Sequence, residues 1–262
     1  PHKDRRTIGA WCFLDHFGPL DLKTGELDIA PHPHIGLQTF TWTLAGEIMH
    51  RDSIGSEQII QPGQINLMTA GNGIAHSEES LPDSVLHGVQ LWIALPDMVR
   101  HMEPQFHHYA NVPCLQHAGL TIRVLVGEFM GQQAKTQVYS PLIALDLAAD
   151  EAIDTTLPLN PNFEYGILPL IEQAEIGGEV ATQETLLYLG KGRNQLHVNM
   201  PAGARLLLIG GEPFNEEILI WWNFVARTKE ELIAATDAWN EGSRFGKVEG
   251  YHAGRLTAPP LS

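Results

Sequence analysis

The chain has 262 residues, with 31 acidic side chains against 16 basic ones and a formal net charge of −15. A surface this acidic has no electrostatic footprint for nucleic acid or for an anionic membrane, so any part in transcription would run through another protein. With 44% hydrophobic residues the chain is long enough for one large or two ordinary domains. The two cysteines, Cys12 and Cys114, stand far apart and do not suggest a disulfide framework. No run approaches the length of a membrane span, and the start lacks a signal-peptide pattern. A reducing cytoplasm is the expected location.

In chain order, residues 1–30 read as an irregular lead-in, with a short apolar run at 11–14 and a turn at 15–19. Residues 37–44 (LQTFTWTL), rich in threonine and aromatics, are a strand by propensity. Strands follow at 48–52, 57–60 and 65–69, separated by turns at 45–47, 53–56 and 61–64. A glycine loop, Ala70-Gly71-Asn72-Gly73, leads to His76 and Glu78. Residues 89–95 close the sheet, 97–118 are looser, and 120–126 form a further strand. Short strands broken by turns about every ten residues indicate a sandwich or barrel.

The second half keeps the rhythm. Strands are expected at 142–147, 163–171, 184–189, 195–200 and 205–209, with glycine turns between them. Pro62-Gly63 and Pro201-Ala202-Gly203 both precede an apolar strand, a weak internal repeat. Only two of the thirteen histidines, His197 and His252, lie beyond His117, so the first half carries the chemistry. Near the end, Thr228-x-x-Glu231 is a capping box opening a helix, on which Leu232, Ile233 and Trp239 can share a face.

Two pairs dominate the chemistry: His32 with His34, and His76 with Glu78. Side chains two apart on a strand point to one face. If both pairs face one interior, three imidazoles and a carboxylate converge, a donor set suited to a divalent first-row metal. Four protein ligands on an octahedral ion leave two open positions, which suits catalysis or sensing. Other polar residues read more plainly. His50 and Asp52 are taken as a strand-end pair, His107 and His108 as solvated loop residues, His197 as a histidine without chemistry, and Met68 and Trp92 as core. Asp15 and His16 either cap the lead-in or reach toward a ligating imidazole.

The run His32-Pro33-His34-Ile35-Gly36, with Gly46-Glu47, His50-x-Asp52-Ser53, Pro62-Gly63, Met68-Thr69-Ala70-Gly71-x-Gly73-Ile74-x-His76-Ser77-Glu78 and His87-Gly88-x-Gln90-Leu91-Trp92, resembles the pirin family of the cupin superfamily. The resemblance implies an all-β chain of two cupin (jelly-roll) barrels plus a short C-terminal helix. The expected divisions are 1–128 for a metal-binding barrel, 129–227 for a barrel without metal ligands, and 228–262 for the helix and tail. It implies His32, His34, His76 and Glu78 as metal ligands. Iron(II) is the implied ion, with Mn, Ni, Cu or Zn as alternatives. It also implies two functions to weigh. One is a dioxygenase acting on quercetin or a similar flavonol or phenol, with Glu78 as the catalytic base. The other is an iron- or redox-responsive protein that binds a transcription regulator or a metabolic enzyme. One departure stands out: many cupins carry Glu four residues after the second histidine, and here that position is Gln38. An amide there can donate a hydrogen bond but cannot act as a base.

Overall fold

The computed structural model describes residues 6–23, 27–81, 85–183 and 185–261. The chain forms two compact units, one of residues 12–110 with 215–262 and the other of residues 1–11 with 111–214. Each contains a barrel of two antiparallel sheets, and among the described residues one helix lies near the C-terminal end.

Nine strands build the first barrel: β1 (Trp11–Asp21), β2 (Asp28–His34), β3 (Leu37–Ala45), β4 (Ile48–Asp52), β5 (Glu57–Ile60), β6 (Ile65–Thr69), β7 (Ile74–Ser80), β8 (Val85–Ala94) and β9 (Gln105–Tyr109). One sheet has the order β1-β8-β3-β6-β9, the other β2-β7-β4-β5. β3 is buried along almost its whole length, from Leu37 to Thr43. Its threonines and aromatics serve both faces of a covered sheet, so it reads as a near-continuous run. Between β2 and β3 the chain turns at Gly36, whose φ is +67°. A Cβ there would meet the Val225 carbonyl oxygen at 2.2 Å, so only glycine fits.

Within this barrel, two segments depart from the sequence reading. Residues 15–19 do not end the lead-in, because β1 continues to Asp21 as an edge strand beside β8. Residues 105–109, read as loose, form β9, which pairs with β6 from Gln105↔Thr69 to Tyr109↔Ile65. Neither has strong strand propensity, and pairing with a preformed edge supplies the order.

Residues 215–262 return to the first unit. A small hairpin, Leu219–Trp221 with Phe224–Ala226, bridges Ile35 through Phe224. Helix α1 (Lys229–Glu241) opens as the capping box requires, with Thr228 Oγ1 accepting the Glu231 N–H, and stops at Gly242 in the left-handed conformation. It buries Leu232, Ala235, Thr236 and Trp239, while Ile233 points outward at 41% exposure, one position off the apolar stripe. The tail is tied down: Trp239 Nε1 donates to the Leu256 carbonyl at 2.8 Å, and the Asn240 amide bonds Ala258 in both directions.

The second barrel has a six-stranded sheet, in order Cys114–His117, Leu120–Val126, Leu142–Ala149, Arg205–Gly211, Glu164–Ile171 and Leu187–Lys191. The strand expected at 184–189 runs from Leu187, and Glu184 lies outside the described residues. Facing it is a four-stranded sheet, in order Ile153–Pro158, Gln195–Met200, Ala174–Ile176 and Glu179–Ala181. Its interior is one apolar cluster that includes Leu145, Leu157, Ile167, Leu196, Val198, Leu206 and Leu208. Each such side chain contributes about 1.5–3 kcal/mol on burial.

Candidate metal centre

The inner face of the sheet β2-β7-β4-β5 carries the site. Register fixes who meets whom: His32 is opposite His76, Asp52 lies on the far side of His76, and His50 is opposite Glu78. A bulge between Ile29 and His32 sets this register. The alternation of each strand then turns His32, His34, His50, Asp52, His76 and Glu78 to a common face. All six are buried.

The nitrogens of His32, His34 and His76 lie within 4.8 Å of one another, and a second group of the same span joins His76 to His50 and Glu78. His34 Nε2 and His76 Nε2 are 3.0 Å apart. Two cis ligands on an ion with bonds of about 2.1 Å would stand about 3.0 Å apart. The other ring nitrogens explain the direction. His32 Nδ1 donates to the Ala30 carbonyl at 3.0 Å, and His34 Nδ1 donates to the Asn223 carbonyl at 2.9 Å. A carbonyl can only accept, so each neutral ring carries its proton on Nδ1 and presents a bare Nε2. Lone pairs converging in a buried place fit a cation.

Burial, before any other cause, pushes His32 down to about 4, and His34 and His76 well below the ordinary histidine value. The rings are therefore neutral, the state that binds metal. Burial likewise raises Glu78. Both Glu78 oxygens accept from Gln90 Nε2 on β8, at 2.9 and 2.8 Å, so this carboxylate spans toward the opposite sheet.

Aromatic rings surround the cluster. Trp92 meets His34 edge-on with ring centres 5.3 Å apart. Phe13 stacks on Trp92 at 4.3 Å and is 41% exposed. Phe106 of β9 stacks on His50 at 4.4 Å and 16°. Trp92 is thus a wall of the site as well as core, and β9 brings a ring to it that the sequence reading left in a loop.

Other expectations sort as follows. Gln38 is buried and donates to Thr69 Oγ1 at 2.9 Å. His16 pairs with His87, Nε2 to Nε2, at 2.8 Å. His108 bonds Asn66 Oδ1 at 2.7 Å, ordered rather than loose. His197 is on the outer face beside Asp154. Cys12 is buried, which pushes its thiol up to about 12 and leaves it inert. His50 and Asp52 belong to the cluster itself. The spacing that betrays them is the one used for the other pairs, two residues apart on one strand.

The comparisons with known proteins agree with this architecture. The pirin family model matches residues 1–93, and the model of the pirin C-terminal cupin domain matches residues 144–246. A Pseudomonas aeruginosa protein that carries the provisional name quercetin 2,3-dioxygenase is 52% identical over 264 residues, covering 100% of this chain and 84% of its own. Rat pirin is 32% identical over 243 residues, covering 88% of this chain and 84% of its own. A crystal structure of quercetin 2,3-dioxygenase from Acinetobacter baumannii superposes with a TM-score of 0.97 at 47% identity, covering 100% of this chain and 89% of that one. The molecule is a bicupin with a histidine cluster able to hold a metal. The chain belongs to the pirin family. Among the described residues, no helix is long and apolar enough to cross a membrane.

Proposed function

We propose that the chain is an iron(II)-dependent dioxygenase of flavonols such as quercetin. The observation that carries this reading is the set of converging imidazole nitrogens beside aromatic walls. The names of two relatives, at 52% and 47% identity, support the substrate class. In this reading His32, His34, His76 and Glu78 hold the ion. Held there, iron would supply Lewis acidity toward a phenolic oxygen of the substrate.

The protein's own groups do the rest. Trp92 and Phe13 form an aromatic path from His34 to the surface, a fit for a planar polyphenol. Phe106 covers the His50 side and excludes water there. Glu78, whose two oxygens both accept from the Gln90 amide, would leave the ion transiently to take the phenolic proton. Gln38 has no part as a base. Its amide is engaged with Thr69.

Oxygen uptake by iron-reconstituted protein with quercetin tests this, beside His32→Ala and Glu78→Ala. Turnover is expected for the wild type and is lost in both variants. Bound iron without oxygen uptake by the wild type sinks the enzymatic reading. It would turn attention to a regulatory role, tested by partner affinity in the two iron oxidation states.

A further inference from the structure

His32 and His34 each anchor the nitrogen that faces away from the cluster on a backbone carbonyl. His76 has no such carbonyl at its Nδ1 among the described residues. What stands there is His50, with Nδ1 at 3.4 Å, the long end of hydrogen-bond distance. Behind His50 is Asp52, whose Oδ2 lies 3.1 Å from His50 Nε2.

We propose that His50 and Asp52 position His76: Asp52 fixes the proton of His50 on Nε2, and the bare Nδ1 of His50 accepts the Nδ1–H of His76. This rests on the reading of His32, His34 and His76 as metal ligands, and it assigns a role to two residues which that reading does not need.

The carboxylate can only accept, so the nitrogen beside it carries the proton. Asp52 cannot turn away, because its Oδ1 accepts the backbone N–H groups of Ile54 at 3.1 Å and Ser56 at 2.9 Å. An imidazole whose single proton is on Nε2 has a bare Nδ1. A neutral His76 has one proton to place. On Nε2 it would donate to the bare His34 Nε2 at 3.0 Å and close the place proposed for the ion. On Nδ1 it meets an acceptor and frees Nε2. Phe106, stacked on His50, keeps the ring plane. His50, Asp52 and His76 are 3%, 3% and 0% exposed, so water does not compete for these bonds. A carboxylate behind a histidine thus acts at one remove, through a second imidazole.

The test uses full-length protein stripped of metal, titrated anaerobically with iron(II) against a competing chelator. Asp52→Asn and His50→Phe are expected to weaken iron binding by about 10–100-fold, the usual cost of losing a partner behind a ligand. His50→Phe keeps the stack on Phe106 but offers no acceptor. His50→Asn, whose side-chain oxygen falls near the place of the ring Nδ1, is expected to recover most of the loss. Imidazole 15N NMR of the metal-free wild type is expected to find His50 protonated on Nε2 and bare on Nδ1, and the reverse in Asp52→Asn. Equal affinities in all four proteins, or a His50 proton on Nδ1 in the wild type, overturn the proposal. So does complete loss of binding in both His50 variants, which would make His50 a ligand. A wild type that binds no iron defeats the metal reading instead, and the NMR result still decides the His50–Asp52 pair.

Discussion

The two barrels use one topology for opposite ends. In each, the four-stranded sheet runs first strand, fourth, second, third: β2-β7-β4-β5 in the first unit, and Ile153–Pro158, Gln195–Met200, Ala174–Ile176 and Glu179–Ala181 in the second. One inward row of the first reads His32, His76, Asp52. An inward row of the second reads Thr155, Val198, Ile176. Around that row, Ile153, Leu157, Leu196 and Met200 join the apolar cluster. A jelly roll therefore does not dictate a site. The fold supplies an inward face, and the residues at alternate positions decide whether it is filled by apolar side chains or lined by polar ones.

The largest effect that separates the barrels is loss of a proposed ligand. His32→Ala is expected to reduce iron affinity by more than the ~100-fold limit usual for groups behind the ligands, with the second barrel unaffected. Next comes Leu196→Ala, in the filled interior. It is expected to cost about 2–5 kcal/mol in chemical denaturation while iron affinity in the folded protein stays at the wild-type value. A change in iron affinity would mean that the barrels are not independent.

Acid sharpens the comparison from another side. Burial works to raise Glu231, but the hydrogen bonds from Arg100 and the Arg227 backbone outweigh it and hold the carboxyl at about 2. Its unfolded value is about 4.3. The folded value is the lower one, so the stability it contributes is complete above about 4.3 and is lost as pH falls from there toward 2. Hydrogen exchange in α1 is expected to rise in that window in the wild type, and to change less in Glu231→Gln. The smallest effect is Thr228→Ala. Loss of the N-cap should cost about 1 kcal/mol, read as a small drop in the thermal midpoint of the first unit.

Much of this was legible beforehand. The strands at 48–52, 57–60, 65–69, 120–126 and 195–200 stand where alternation and turn residues put them. The His-x-His and His-x-Glu spacings bring His32, His34, His76 and Glu78 to one face, because a strand offers only two directions. Missed were pairings that depend on a distant partner. β9 is ordered by β6, and the strand Ile153–Pro158 by Gln195–Met200, with little local signal in either. The same blindness hid the Asn223 carbonyl behind His34 and the aromatic surroundings of the site, which come from β1, β8 and β9. His50 and Asp52 were visible as a pair, but the sequence offers no way to see that β4 lies next to β7 and not elsewhere.

The bond from His34 to Asn223 links residues 189 positions apart. During synthesis every proposed ligand is complete once residue 78 has been made, yet the carbonyl that aims His34 belongs to a segment made after the entire second barrel. Domains fold as they emerge, N-terminal first. Until residue 223 has been made, the nascent first barrel therefore lacks the carbonyl that aims His34, one of the proposed ligands.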